Sequence, residues 1–105
     1  MSDLTQLRDA MRSFTSARDW ERFHDPKSLV LALVGEVGEL AAEFQWLPAD
    51  RAADLVSEEP RRTAVADELA DVLLYLVRLA DVLDIDLRAA AEAKLMKNAE
   101  KHPAR

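Results

Sequence analysis

The chain has 105 residues, with 20 acidic and 14 basic side chains and a formal net charge of −6 at pH 7. This length accommodates one hydrophobic core, so we expect residues 1–105 to form a single domain. The acidic balance disfavours nucleic-acid polymers and anionic membranes as partners, because both require a basic face. The chain has no cysteine, which excludes disulfides, thiolate metal ligands and a cysteine nucleophile.

The N-terminal segment MSDLTQLRDAMR is charged and periodic, and it lacks the apolar core of a secretory signal. No uncharged stretch of the sequence approaches the length of a membrane span. We therefore expect a cytoplasmic protein.

Apolar residues spaced three and four apart predict an all-α fold, a four-helix bundle. The start of the second helix is marked by Asp25 as N-cap and Pro26 at the first helical position. The helices are expected at about residues 4–14, 26–47, 60–83 and 87–101, with a short helical turn at 51–56.

The third predicted helix contains the segment VLLYLV, residues 72–77, which is apolar on nearly every side. In a domain this small, such a helix needs cover on more than one face. Self-association is the simplest source of that cover. We therefore expect packing in a homodimer or homotetramer to complete the bundle.

Carboxylates form a stripe on each of two predicted helices. Glu36 and Glu39 are three residues apart, so they share one face of the second helix, and Glu68 and Asp71 repeat that spacing on the third. If the two helices pack against each other, all four carboxylates can converge, and their repulsion then requires a cation. Oxygen ligands favour Mg²⁺, with Mn²⁺ as a substitute. The alternative is that both pairs are solvated surface acids.

Aromatic and polar residues elsewhere allow two interpretations each. Lys94 and Asn98 are one helical turn apart, and they either hold phosphate oxygens or form a solvated face. Trp20 and Trp46 either stack on a planar base or close the ends of the bundle. Tyr75 either has a buried hydroxyl with a carboxylate partner or faces a ligand.

Two further titratable residues are near these positions. Glu43 is either an additional metal ligand or a group that contacts one. His24 is expected to be a cap or a surface residue rather than a catalyst.

The chain resembles the MazG-like all-α nucleoside triphosphate pyrophosphohydrolase superfamily, and within it the dCTP pyrophosphatase branch. The resemblance covers nearly the whole chain from about Phe14, and it rests on RDWERFH, LVGEVGELAAEFQW, DELADVLLYLV and KLMKNAEKHP in that order. It implies hydrolysis of a nucleoside triphosphate, dCTP or a modified relative, to the monophosphate and pyrophosphate. Another nucleotide such as dUTP is the alternative substrate.

The resemblance also implies roles for individual residues. The family motif E-x-x-E followed by E-x-x-D gives the Mg²⁺ ligands as Glu36, Glu39, Glu68 and Asp71. Glu39 is the candidate to orient or deprotonate the attacking water. The substrate-binding residues would be Trp20, Trp46 and Tyr75 at the base and Lys94 and Asn98 at the triphosphate. The family forms dimers and tetramers whose subunits share pocket residues. Met11 stands where this branch typically has a histidine, which leaves the base preference open.

Two other classes of protein have acidic helices of this kind. A di-iron bundle takes Glu-x-x-His pairs from two helices, and the chain does not supply two such pairs. A non-enzymatic helical interaction module would keep its acidic stripes solvated.

Overall fold

The structure, a computed structural model, describes residues 3–104. The helices are α1 (Asp3–Ala17), α2 (Pro26–Phe44), α3 (Ala52–Val56), α4 (Arg61–Val82) and α5 (Leu87–Lys101), with a 3₁₀ turn at Glu21–Phe23. The described residues contain no strand, so the predicted all-α class is confirmed, as are its four long helices. Residues 1, 2 and 105, which the predicted domain includes, lie outside the described residues. None of the described helices has both the length and the apolar character that crossing a bilayer requires.

Two of the long helices have an aspartate as their N-cap residue. Asp25 accepts hydrogen bonds from the Ser28 backbone N–H at 2.9 Å and from the Ser28 hydroxyl at 2.7 Å. These bonds hold the pKa of Asp25 below its ordinary value. Asp86 caps α5 in the same way and accepts from the Ala89 N–H at 3.0 Å. Such a cap stabilises a helix by about 1 kcal/mol, and here it fixes where α2 begins.

Helix α4 is the centre of the fold. Its broadest interface is with α2, and α1 and α3 also pack on it. The most buried apolar side chains are Leu29 of α2 and Val65, Val77 and Ala80 of α4. The two helices that carry the acidic stripes are therefore packed against each other.

An ion network attaches α1 to the end of α4. The Arg12 guanidinium donates to both carboxylate oxygens of Asp81, with Nε 3.1 Å from Oδ2. Arg78 Nη1 donates to the same Oδ2 at 3.3 Å. The hydrogen bonds from Arg12 hold the pKa of Asp81 below its ordinary value, so this carboxylate is ionised at neutral pH. Its charge allows Arg78 to be buried, with 7 % of its surface exposed.

Some apolar surface is not covered within one chain. Leu69, Leu73 and Leu76 form a stripe along α4 and are 53 %, 38 % and 37 % exposed. Every residue of α5 after Leu87 is exposed, including Leu95 and Met96. The radius of gyration of 16.5 Å exceeds the roughly 13 Å expected for a compact domain of this length. The four-helix bundle is therefore not completed within one chain, and it stays a prediction that requires further copies.

Candidate metal and nucleotide site

Three glutamates meet between α2 and α4. Glu36 and Glu39 lie on α2 and Glu68 lies on α4, and one carboxylate oxygen of each is within 4.8 Å of the others. The spacing of three residues puts the two α2 side chains on one face, and the packing of α2 on α4 brings Glu68 to that face. The structure thus brings together three of the four predicted Mg²⁺ ligands, here termed the glutamate cluster.

Asp71, the fourth predicted ligand, lies near the glutamate cluster without belonging to it. Its negative charge contributes to raising the pKa values of both Glu36 and Glu68. Asp71 is exposed, and it also lines an aromatic cavity. It therefore connects the glutamate cluster with that cavity.

Two carboxylate oxygens of the glutamate cluster are buried without a hydrogen-bond partner. These atoms are Glu36 Oε2 and Glu68 Oε2. A buried carboxylate needs a partner, and no lysine or arginine among residues 3–104 forms an ion pair with either side chain. Solvated surface acids, the alternative interpretation, do not fit these two residues. A hard divalent cation with oxygen ligands would supply the partner, so the donor set fits Mg²⁺.

Burial and like charge raise the pKa values of two of the glutamates. The pKa of Glu68 is raised to about 7, mainly by burial and next by the charge of Glu39, with smaller contributions from other groups. Burial also raises the pKa of Glu36, followed by the charges of Glu39 and Asp71. The metal-free cluster is therefore partly protonated at neutral pH. A bound cation would favour the ionised forms.

An aromatic cavity of about 360 Å³ opens beside Asp71. Phe14, Trp20 and Tyr75 are in its wall, and Met11 is among its apolar neighbours. The Phe14 and Trp20 rings pack edge to face, with their centroids 5.7 Å apart and their planes at 70°. Small-molecule sites commonly have volumes of about 300–1,000 Å³ and apolar aromatic walls. The cavity is therefore suited to a planar ring.

Three predicted substrate-binding residues lie away from this wall. Trp46 follows α2 and is 86 % exposed, and Lys94 and Asn98 are exposed on α5. None of the three lines the aromatic cavity, whereas Trp20 and Tyr75 both do. Glu43 lies apart from the glutamate cluster in a separate surface cavity with Glu58 and Glu59.

Two polar residues of the cavity wall, Thr15 and His24, were not among the predicted substrate-binding residues. Thr15 has no exposed surface, and its hydroxyl is buried without a hydrogen-bond partner. Its spacing of four residues from Met11 is the sequence signal that could have identified it. His24 is the C-cap of the 3₁₀ turn, as the prediction of a cap required, and its half-buried ring also accepts a hydrogen bond from Arg78. This pairing has no local signal, because the two residues are 54 positions apart.

The di-iron alternative gains no support from this geometry. The sequence contains one Glu-x-x-His pair, Glu21 and His24, at the 3₁₀ turn. The glutamate cluster contains no histidine among the described residues. An acidic cluster that fits a divalent cation, beside a cavity that fits a planar ring, instead suits a ligand with both phosphates and a base.

Residues 24–105 match the family described as the MazG nucleotide pyrophosphohydrolase domain. The chain therefore belongs to this enzyme family, as its motifs predicted, and the interaction-module alternative is correspondingly disfavoured. The dCTP pyrophosphatase 1 of Bos taurus is 43 % identical over 100 residues, and that of Homo sapiens is 44 % identical over 101 residues. These matches cover 95 % and 96 % of this chain but 59 % of each relative. The chain thus spans about three fifths of the length of these curated relatives.

A solved structure shares the fold over nearly its full length. It is a crystal structure of a pyrophosphatase from Archaeoglobus fulgidus DSM 4304, 36 % identical in sequence, with a TM-score of 0.90. The match covers 99 % of this chain and 95 % of that one. The helical arrangement described above is therefore also that of a solved pyrophosphatase.

The raised carboxyl pKa values predict that metal-free protein loses stability as the pH rises. Between its unfolded and folded pKa values, such a group holds its proton more tightly in the folded state. For Glu68 this interval runs from 4.5 to about 7. Urea unfolding without metal should therefore give a higher free energy of unfolding at about pH 5.5 than at about pH 8, because the raised pKa values of Glu36 and Glu68 outweigh the lowered pKa of His24, which acts in the opposite direction. Glu68→Gln should reduce this difference and exceed the wild type in stability at the higher pH.

The matched control for this measurement is Glu100→Gln on the exposed side of α5, which should keep the wild-type pH dependence. An identical pH dependence in the wild type and in Glu68→Gln would contradict the prediction.

Proposed function

We propose that this protein is a Mg²⁺-dependent pyrophosphohydrolase that converts a deoxynucleoside triphosphate to the monophosphate and pyrophosphate. Its proposed substrate is dCTP or a modified dCTP, and its role is to remove such nucleotides from the pool. The strongest support is the pair of buried, unpartnered oxygens on Glu36 and Glu68 near an aromatic cavity. Relatives named dCTP pyrophosphatase 1 favour a cytosine base over the alternative dUTP.

The proposed metal ligands are the glutamate cluster and Asp71, with Mn²⁺ able to replace Mg²⁺. When bound, the metal neutralises phosphate charge and lowers the pKa of a coordinated water. Glu36 and Glu68 are partly buried and hence restrained, whereas Glu39 is exposed. We therefore assign Glu39 the orientation or deprotonation of the attacking water. The water oxygen bonds to phosphorus in line as the P–O bond to the departing pyrophosphate breaks.

The base would occupy the aromatic cavity between Trp20 and Tyr75. Asp71 lines that cavity and influences the glutamates, so a nucleotide with its base there would have its phosphates near the acidic cluster. Aromatic walls hold a base by stacking, which contributes about 1–3 kcal/mol per base. Trp46, Lys94 and Asn98 would join the site in the assembled protein, the last two by holding phosphate oxygens.

The working form is proposed to be a homodimer or homotetramer of single-domain chains in the cytoplasm. The exposed leucine stripe of α4 and the exposed apolar residues of α5 support self-association. The radius of gyration also supports self-association, because it is too large for a compact chain of this length. A second copy packed on these surfaces would also explain why Trp46, Lys94 and Asn98 are exposed in one chain.

Pyrophosphate release from a panel of deoxynucleoside triphosphates tests the proposed reaction. With Mg²⁺ present, the wild type should cleave dCTP fastest. Glu39→Gln should lower kcat by about a hundredfold or more, because loss of a general base typically costs about 10²–10⁴ in rate. The matched control, Glu92→Gln, alters an exposed side chain paired with Arg88 and should leave the rate unchanged. A wild type that cleaves none of these nucleotides would refute the proposal.

Light scattering with size-exclusion chromatography tests the proposed assembly. The wild type should have a mass that is an integral multiple, above one, of the 11.8 kDa chain. Leu73→Glu should reduce that mass, because it puts a charge into the apolar stripe of α4, while circular dichroism confirms that the helices are retained. Ala53→Glu, on the exposed part of α3, is the control and should assemble normally. A wild-type mass of one chain would contradict the assembly.

A further inference from the structure

His24 lines both the aromatic cavity and a neighbouring cavity of about 250 Å³. Its ring makes one hydrogen bond within residues 3–104, in which Arg78 Nε donates to His24 Nδ1 at 3.0 Å. A guanidinium carries N–H groups and has no acceptor. His24 Nδ1 must therefore be the unprotonated nitrogen. In the neutral ring, the proton is then on Nε2.

Arg78 can impose this tautomer because its own position is fixed. It is buried, and its Nη1 donates to Asp81 at 3.3 Å. Asp81 is held in turn by two hydrogen bonds from Arg12. The guanidinium of Arg78 is thereby restrained on both sides, with its Nε–H directed at His24.

The surroundings of His24 also favour its neutral form. Burial is the largest cause that lowers the pKa of His24, and the charge of Arg78 adds to it. A neutral ring whose Nδ1 is occupied has one strong hydrogen-bonding group left, the Nε2–H donor. Most of the aromatic cavity wall is apolar, so a donor at its edge would have a large effect on which base is bound.

We propose that His24 Nε2–H donates a hydrogen bond to N3 of a cytosine base, and that Arg78 is the positioning residue that fixes this tautomer. This inference rests on the proposed function. Cytosine N3 is an acceptor, whereas uracil and thymine carry a hydrogen there. A fixed donor facing N3 therefore distinguishes dCTP from dUTP.

The tautomer is measured directly by ¹⁵N NMR of the histidine rings, with His24→Gln used to assign the signals. In the wild type, His24 Nδ1 should give the signal of an unprotonated nitrogen and Nε2 that of a protonated one. Arg78→Met should remove this pattern. Arg88→Met removes an arginine that is paired with a carboxylate on the exposed surface of α5, and it should have no effect. A protonated Nδ1 in the wild type overturns the inference.

Kinetics of dCTP and dUTP hydrolysis test the contact with the base. His24→Gln keeps an N–H donor near the Nε2 position and should keep the preference for dCTP. His24→Leu lacks the donor and should lower that preference about tenfold through KM, with kcat changed less than about twofold. Arg78→Met should act in the same direction. Equal losses in His24→Gln and His24→Leu, or equal losses for dCTP and dUTP, overturn the inference.

A second experiment distinguishes an error in the proposed function from an error in the proposed contact between His24 and cytosine N3. If the wild type cleaves no nucleoside triphosphate, the proposed function is wrong, and titration with deoxycytidine then decides the inference. A shift of the His24 Nε2 proton with deoxycytidine, and not with deoxyuridine, supports it. No shift, or the same shift with both nucleosides, overturns it.

Discussion

The packing of α2 on α4 holds together carboxylates that repel one another. This packing holds the glutamate cluster together, with carboxylate oxygens within 4.8 Å of one another. Like charges at this separation lower the stability of the metal-free fold, and burial of Glu36 Oε2 and Glu68 Oε2 adds to the cost. In the proposed enzyme, the same arrangement would give a divalent cation a preformed set of ligands. Such an exchange of stability for function is common at binding sites.

Asp71 lies near the glutamate cluster and also lines the aromatic cavity, two regions of different chemistry. On one side are acidic groups suited to a cation and its phosphate ligands, and on the other is a mainly apolar aromatic cavity. The distribution matches the two ends of a nucleoside triphosphate, one polyanionic and one planar. The Arg12–Asp81–Arg78 network ends at His24, which lines this cavity. The buried Arg78 therefore contacts the cavity residue His24 as well as the carboxylate that pairs with α1.

The sequence predicts local features of this protein well, because they depend on nearby residues. Helical periodicity identifies the four long helices, and the spacing of Glu36 and Glu39 identifies their shared face. The contact of Glu68 with the face that carries Glu36 and Glu39 could also be predicted. Each acidic stripe lies beside an apolar stripe, and apolar stripes pack together. The pairs Arg12 with Asp81 and Arg78 with His24 could not be predicted, since their members are 69 and 54 positions apart. The position of α5 was also beyond prediction, because its weak apolar face does not specify a neighbour within the chain.

Anomalous scattering from crystals grown with Mn²⁺ measures whether the glutamate cluster binds a divalent cation. Mn²⁺ scatters anomalously, and it is the proposed substitute for Mg²⁺. Wild-type crystals should show an anomalous peak at coordination distance from carboxylate oxygens of Glu36, Glu39 and Glu68, and crystals of a Glu36→Gln, Glu68→Gln double variant should show none. Glutamate side chains that point away from one another, with no peak between them in the wild-type crystals, would contradict this expectation.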